Sequence, residues 1–398
     1  LPKKVRILVL SPSALPTLGG LQRYTHDLAV SLAKANHGVL LLTLEPPPND
    51  SELPTLTRAG LSQWNSVRAG FIPKVLQKIY LARELYRHMR VFKPAEIICT
   101  WWDPWGYVAI LLRPLFRVPV VSVAHGQEVI RHSGRGAARL FKRWIRSCVF
   151  RESDLVVAVS GFTQRQVRAL GVADSRIKVI PNGLTSEYIE MAASAGGAHA
   201  DDRKSAAYQI LQVGRLVERK GHAMVLEALA HVKYSYPVSI RYVIVGSGPL
   251  ELPLHRKAQE LGLEGSAIFV GSVSDNELHR FYQMSDLVVM PSHNPRDPGD
   301  VEGFGIVYLE AYAHGKPVIG VQSGGVPDAV QDGVTGLLTP PGAADQLGHA
   351  ILWLMQNPAE ARAMGDRGRQ LVLQQWRWEN LCKEFLLEEP VGHSSFLR

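Results

Sequence analysis

Glu302 and Glu310 bracket the segment Glu302-Gly303-Phe304-Gly305-Ile306-Val307-Tyr308-Leu309-Glu310, in which a Gly-x-Gly turn leads into a helical run. A helix beginning near Phe304 would put Glu302 just before its N-terminus and Glu310 about two turns inside. The backbone N–H groups of Gly303, Phe304 and Gly305 would then lie at a helix start, where no intrahelical carbonyl reaches them. Amides of that kind hold phosphate and carboxylates hold hydroxyls, the pair of contacts that a sugar nucleotide needs. The plain alternative is a capped helix whose glutamates face solvent.

Three further segments weigh on that choice. In Val213-Gly214-Arg215-Leu216-Val217-Glu218-Arg219-Lys220-Gly221, Arg215 follows a strand and Lys220 opens the next helix. Two cations at a strand's carboxyl end suit a diphosphate, the guanidinium by its planar fork and the ammonium as a point charge. His125-Gly126-Gln127-Glu128 also stands at the end of a strand, where an imidazole can reach a ligand. Gly19-Gly20 after the first strand, and Val245-Gly246-Ser247-Gly248, would each let a ligand approach the backbone or simply turn the chain. Neither is the Gly-x-Gly-x-x-Gly dinucleotide fingerprint. Asp-x-Asp is absent from the sequence, so no metal cofactor is expected, and Arg215 with Lys220 would take its place.

The elements that must carry these residues alternate. Short aliphatic runs at Val5–Leu10, Val39–Leu44, Ile97–Thr100, Pro119–Ala124, Leu155–Val159 and Ile177–Ile180 are separated by helical patterns such as Leu21–Ala35 and Pro73–Val91. A second such series runs from Ala207–Val213 to Gly336–Leu338. Continuous apolar strands between amphipathic helices predict parallel sheets covered on both faces. The expected class is α/β, with two doubly wound Rossmann-like domains facing each other across a cleft. The divisions are 1–187 for the first domain, 188–206 for a linker poor in hydrophobic period, and 207–372 for the second. Residues 373–398 are a C-terminal helix and tail expected to cross back onto the first domain.

Composition narrows the classes. With 398 residues, 46% of them hydrophobic, the chain can bury two cores. It has no apolar run of about 18 residues, and the N-terminus lacks a signal-peptide pattern. Three widely spaced cysteines without metal-ligand spacing suggest a reducing, cytoplasmic setting. Residues 1–183 hold 26 Lys/Arg against 11 Asp/Glu, whereas the remainder holds 18 against 25. The basic half suggests an anionic partner. No nucleic-acid-binding motif accompanies it. Arg135, Arg139, Lys142, Arg143 and Arg146 instead recur at helical spacing among Leu140, Trp144, Ile145 and Val149. A basic amphipathic helix predicts an anionic membrane surface or a lipid-linked acceptor, with the protein peripheral at the inner face of the membrane. A solvated face over the domain core is the competing reading.

In their order, the Gly-Arg-x4-Lys-Gly, Val-Gly-Ser-Gly-Pro, Glu-Gly-Phe-Gly…Leu-Glu-Ala and Ser-Gly-Gly…Asp-Gly-x-x-Gly segments resemble retaining glycosyltransferase family 4, of the GT-B fold. The resemblance covers nearly the whole chain and is strongest from Val213 to Leu338. It implies that the first domain binds the acceptor and the second the nucleoside diphosphate sugar, GDP- or UDP-linked. Arg215 and Lys220 would grip the diphosphate, Glu310 the ribose, and Glu302 the sugar hydroxyls beside the Gly303–Gly305 amides. Gly19 and Gly20 would approach the phosphates, with Gly246 also on the donor side. His125 would sit near the reacting carbon, and the main chain of Val273 would meet the base. Family members transfer a hexosyl group with retention, the leaving phosphate assisting deprotonation of the acceptor. The loop between Ser292 and Glu302, with Arg296, Asp297 and Asp300, is longer than usual. It resembles that of mannosyltransferases acting on phosphatidylinositol mannosides, which points to GDP-mannose and to an overhang above the sugar or acceptor.

Two other classes remain open on the sequence: a GT-B-like sugar-nucleotide epimerase, and a non-catalytic sugar-nucleotide-binding subunit. Epimer formation without acceptor would mark the first, and failure to react with any donor the second.

Overall fold

The computed structural model describes residues 4–13, 19–44, 55–61, 74–130, 136–194, 207–236, 239–293, 297 and 300–387. The chain divides into two compact units. One comprises the residues up to Asn182 together with those from Trp378 onward, and the other is Gly183–Arg377.

In the first unit the aliphatic runs become β1 (Arg6–Ser11), β2 (Gly38–Thr43), β4 (Glu96–Cys99), β5 (Val120–Ala124), β6 (Leu155–Ala158) and β7 (Ile177–Val179). A strand not expected from the sequence, β3 (Leu56–Gly60), joins them at one edge. The order is β3-β2-β1-β4-β5-β6-β7 and every pairing is parallel. Side chains of alternate residues leave opposite faces of a strand. Leu8 and Leu10 therefore meet Leu81, Leu85 and Met89 of helix Lys74–Phe92, and Trp105 and Val108 beyond β4, in one buried cluster.

The second unit repeats the plan with β8 (Tyr208–Val213), β9 (Ile240–Val245), β10 (Ala267–Gly271), β11 (Leu287–Val289), β12 (Val318–Val321) and β13 (Gly336–Thr339). They are ordered β10-β9-β8-β11-β12-β13, again all parallel. Helices His222–Ser235 and Ala344–Gln356 pack together and bury Leu226, Leu229, Leu347 and Ile351 against Ile210 and Ile244. In each unit the strand order reverses direction once, between β1 and β4 and between β8 and β11. In sheets of this kind ligands bind beyond the carboxyl ends of the strands at that reversal.

Two expectations change. Residues 188–194 are not a linker but the body of helix Ser186–Ser194, whose Tyr188, Ile189 and Ala192 are buried; 195–206 lie outside the described residues. The final helical stretch is also not continuous. Helix Pro358–Gln375 ends before Trp376, and a separate turn, Trp378–Leu381, follows. The break allows Leu184 N–H to donate to Trp376 O at 2.9 Å and Arg377 to donate to Ser186 Oγ at 2.6 Å. Past the break the chain rejoins the first unit. There Trp378, wholly buried, meets the ring of Tyr24 edge-on at 5.0 Å and Phe385 at 6.3 Å. Cys99, Cys148 and Cys382 are all free.

Candidate active site

In the second unit the loops beyond β8 and β11 flank the reversal, and their charged residues meet. Glu302 Oε2 accepts from Arg219 at 2.5 Å, from Lys220 Nζ at 2.7 Å and from Ser292 Oγ at 3.3 Å. Arg219 also pairs with Asp300 at 3.2 Å. Burial alone would raise the Glu302 carboxyl, but Lys220 and Arg219 hold it well below the usual carboxylate range. Burial lowers the Lys220 ammonium, with Glu302 opposing it, and Glu302 raises the Arg219 guanidinium. With Asp300, four charges, two of each sign, thus form one ion-paired set. An ammonium has three donors, and Glu302 uses one of those on Lys220.

Arg219 and Asp300 were not singled out for this role. Adjacent Arg and Lys after a glutamate read as surface charge, and partners 83 residues apart leave no local spacing. Asp300 is buried and ion-paired with Arg219, not exposed on the loop. The Asp297 carbonyl accepts from Asp300 N–H at 2.8 Å, and Arg296 lies outside the described residues. Arg215, in contrast, is exposed and forms no ion pair with another described residue.

The helix after Glu302 is Ile306–Ala313, capped by Gly305. It starts two residues later than expected because Gly305 takes φ 100°, a conformation that side chains with a Cβ rarely adopt. Glu310 consequently lies just over one turn inside, not two. The amides of Gly303, Phe304 and Gly305 donate to no other described residue, as a phosphate cradle requires. The Phe304 side chain itself is core, edge-on to Trp376 at 5.7 Å.

Glu310 is buried and its Oε2 accepts from Tyr282 OH at 2.7 Å; it also acts electrostatically on Lys220. Two imidazoles fix the end of its helix. His314 Nδ1 lies 2.7 Å from the Glu310 carbonyl, which can only accept, so Nδ1 carries the proton. His314 Nε2 is therefore an acceptor, and His279 Nδ1, 2.9 Å away, donates to it. Burial lowers His314 to about 4, in keeping with a neutral ring. Val273 is half-buried in the turn between β10 and helix Asp275–Met284. Gly246 has a structural reason of its own: a Cβ there would collide with the Gly214 carbonyl.

In the first unit Gly19 caps helix Gly20–Lys34, and a Cβ on Gly20 would meet nothing within 4 Å. His125 follows β5, half-buried, edge-on to Tyr24 at 4.7 Å and stacked on Trp101 at 6.1 Å. Its Nε2 lies 2.9 Å from the Thr100 carbonyl, which again can only accept. Nε2 is protonated, and Nδ1 keeps a lone pair. Burial lowers the ring to about 4, so it stays neutral at physiological pH.

The basic helix spans Gly136–Glu152. Arg139, Lys142 and Arg143 are exposed, among the equally exposed Leu140, Phe141 and Trp144. Arg146 departs from the expected face. It is 2% exposed and donates to the Glu128 carbonyl at 3.2 Å. Helix phase explains this, since Ile145, Val149 and Phe150 beside it form the buried stripe. Arg135 lies outside the described residues.

Residues 200–371 match the family model for glycosyl transferases group 1, and residues 18–188 the model for glycosyltransferase family 4. Over 298 residues the chain is 32% identical to a GDP-mannose-dependent alpha-(1-6)-phosphatidylinositol monomannoside mannosyltransferase of Mycolicibacterium smegmatis, covering 73% of this chain and 76% of that one. The chain belongs to glycosyltransferase family 4. A protein of the same description from Mycobacterium tuberculosis is 29% identical over 95% of this chain and 96% of its own. Among solved structures, a sucrose-phosphate synthase of Thermosynechococcus elongatus superposes with a TM-score of 0.77 at 23% identity, covering 96% of this chain and 97% of that one. The glycosyltransferase WaaG does so with 0.67 at 16%, covering 95% and 98%. These likenesses bear on the fold, which is GT-B.

For this glycosyltransferase, then, the residues expected to serve the donor fall into two local sets. Lys220 and Glu302 touch, with Glu310 on the adjoining helix; Gly19, Gly20 and His125 belong to the first unit. Among the described residues no helix is long and apolar enough to cross a membrane.

Proposed function

We propose that the enzyme transfers a mannosyl group from GDP-mannose, with retained anomeric configuration and without a metal, to a hydroxyl of a glycolipid or other cell-envelope glycan. The observation that carries this reading is the ion-paired Arg219–Glu302–Lys220 set beside the amides of Gly303, Phe304 and Gly305, which donate to no other described residue. In it, the second unit holds the donor. Lys220, with Arg215 and the amides, stabilises charge developing on the leaving diphosphate, while Glu302 and Glu310 bind sugar and ribose hydroxyls. The departing phosphate takes the acceptor proton. The first unit receives the acceptor and contributes His125 to the sugar being transferred. The mannosyl donor is supported by the relatives described as GDP-mannose-dependent.

Incubation of the enzyme with radiolabelled GDP-mannose, UDP-glucose or UDP-galactose and vesicles containing phosphatidylinositol monomannoside is the direct test. Label should enter the lipid from GDP-mannose alone. Transfer only from a UDP-sugar would overturn the donor, and epimer formation without acceptor would indicate an isomerase.

A peripheral membrane site is supported by the exposed Leu140, Phe141 and Trp144 among Arg139, Lys142 and Arg143. Helix Tyr107–Phe116, packed on that helix, adds the exposed Leu111 and Leu115. The enzyme is expected to float with anionic vesicles at low salt and to be released at high salt. Trp144→Ala should weaken flotation about tenfold, by the loss of one interfacial aromatic anchor. No flotation at any ionic strength would point to an acceptor away from the bilayer.

A further inference from the structure

We propose that Glu128 and Arg146 are positioning residues that set His125 for transfer, with the ionised Glu128 carboxylate pinning the His125 backbone and Arg146 holding Glu128 in place. This rests on the assignment of His125 to the transferred sugar.

The geometry is local. Gly126, at φ 105°, turns the chain after His125 into the short helix Gln127–Ile130. The turn carries the Glu128 side chain back so that Oε1 accepts the His125 N–H at 2.5 Å. Arg146 reaches across from helix Gly136–Glu152 to the Glu128 carbonyl. Glu128 is 8% exposed and Arg146 2%. Glu128 Oε2 meets no hydrogen-bond partner among the described residues.

That last feature separates this pair from an ordinary cap. A serine or asparagine would satisfy one backbone N–H without burying a carboxyl group. A carboxyl oxygen left without a partner in the interior is costly, and the cost is greater when the group is charged. Burial raises Glu128 to about 7, against the pull of the His125 amide bond and the Arg146 charge. Its two states hold His125 differently. The carboxylate accepts a charge-assisted bond, roughly twice as strong as a neutral one. The acid accepts more weakly and gains an O–H donor. Because His125 is itself fixed by Nε2–H to the Thr100 carbonyl, movement of its backbone redirects the Nδ1 lone pair.

Among the described residues, the charged and titratable groups around Glu128 are few. His125 is on its own loop, with Tyr24 against the imidazole ring. Helix Gly136–Glu152 contributes Arg146, whose own guanidinium is lowered by burial and by Arg143. Helix Gly161–Ala169, packed on Gln127–Ile130, carries Arg165 and Arg168, which are engaged at the Phe162 ring and at Asp174. Ionisation of Glu128 therefore depends chiefly on burial, opposed by the backbone N–H groups of His125, Glu128 and Gly126 and, more weakly, by Arg146. The carboxylate form, and with it the pinned His125, prevails above the folded-state value and is lost as pH falls below it.

The test uses full-length enzyme labelled with 15N-histidine, the His125 amide being assigned by its disappearance in His125→Gln. In the wild type that resonance should titrate with a midpoint near the value of Glu128, and in Glu128→Gln it should stay flat. Arg146→Met should move the midpoint upward. With GDP-mannose and phosphatidylinositol monomannoside vesicles, Glu128→Gln should lower kcat roughly tenfold with an unchanged donor KM, and flatten the rise of kcat with pH. A pH-invariant His125 amide in the wild type overturns the proposal. So does a wild-type pH–kcat profile in Glu128→Gln while His125→Ala is inactive. Full activity of His125→Ala would instead sink the assignment of His125 to the sugar, leaving the amide titration to decide on positioning. Should Glu128→Gln not fold, the wild-type titration and Arg146→Met decide.

Discussion

Lys220→Ala is expected to lower kcat with GDP-mannose by about a thousandfold, the upper range for removal of one fixed donor at developing charge. Glu302 engages one of the three ammonium donors of Lys220, leaving the others for phosphate oxygens. Burial strengthens such an interaction, because the ammonium acts through a medium less polarisable than water. The same structure says why the variant should fold. Removing one partner from a buried pair costs about 3–5 kcal/mol when the remaining charge is stranded. Here Glu302 keeps Arg219 and Ser292, so the loss should stay within about 1.5–3 kcal/mol, that of one hydrogen bond to a charged group. Steady-state kinetics and urea unfolding, read on one preparation, separate the two effects. Near-normal transfer would remove Lys220 from the diphosphate, and an unfolded variant would show that Arg219 does not compensate.

The sheets were readable because their strands are apolar on both faces. Ile240–Val245 and helix Asp275–Met284 carry the limits that their residues suggest, the latter closed by the Ser274–Glu277 capping box. Strand β3 was not readable. It pairs with β2 at a sheet edge as Leu-Thr-Arg-Ala-Gly, a sequence with no apolar run. Helix Tyr107–Phe116 escaped for the opposite reason. Its Tyr-Val-Ala-Ile-Leu-Leu run is apolar all round and Pro114 interrupts it, so periodicity offers no face. In helix Ser186–Ser194 the alanines hid a short stripe of Tyr188, Ile189 and Ala192.

The site divides in the same way. Motif spacing located Lys220, Glu302 and Glu310, since each follows a strand or opens a helix. What spacing could not supply was the partner across the sheet reversal. Arg219 is one residue from a residue that was singled out, yet its carboxylate partners arrive with β11. Arg146, expected on the basic exposed face, was legible as a buried residue. Its position between Ile145 and Val149 places it at the buried stripe of its helix, and phase alone distinguishes it from Arg139, Lys142 and Arg143.

Glu302→Gln should damage the second unit more than Lys220→Ala, because it strands the Lys220 ammonium where Lys220→Ala strands no charge. Arg219 would keep Asp300, but Lys220 would lose its only charge-paired contact in the set. The expected cost is about 3–5 kcal/mol in urea unfolding, with transfer activity lost as well. The effect should also carry a pH signature. The Glu302 carboxyl is held well below its ordinary value in the folded protein. As pH falls through about 4, the unfolded chain takes up a proton there that the native state does not, so the native state loses relative stability. Glu302's contribution is thus fully present above that pH and declines below it. Unfolding midpoints measured from about pH 7 to pH 3 should fall steeply for the wild type and less steeply for Glu302→Gln, the two curves converging toward acid. Parallel curves would mean that Glu302 gains no net stabilisation from Arg219 and Lys220, and that the three charges are held together by the fold instead of holding it.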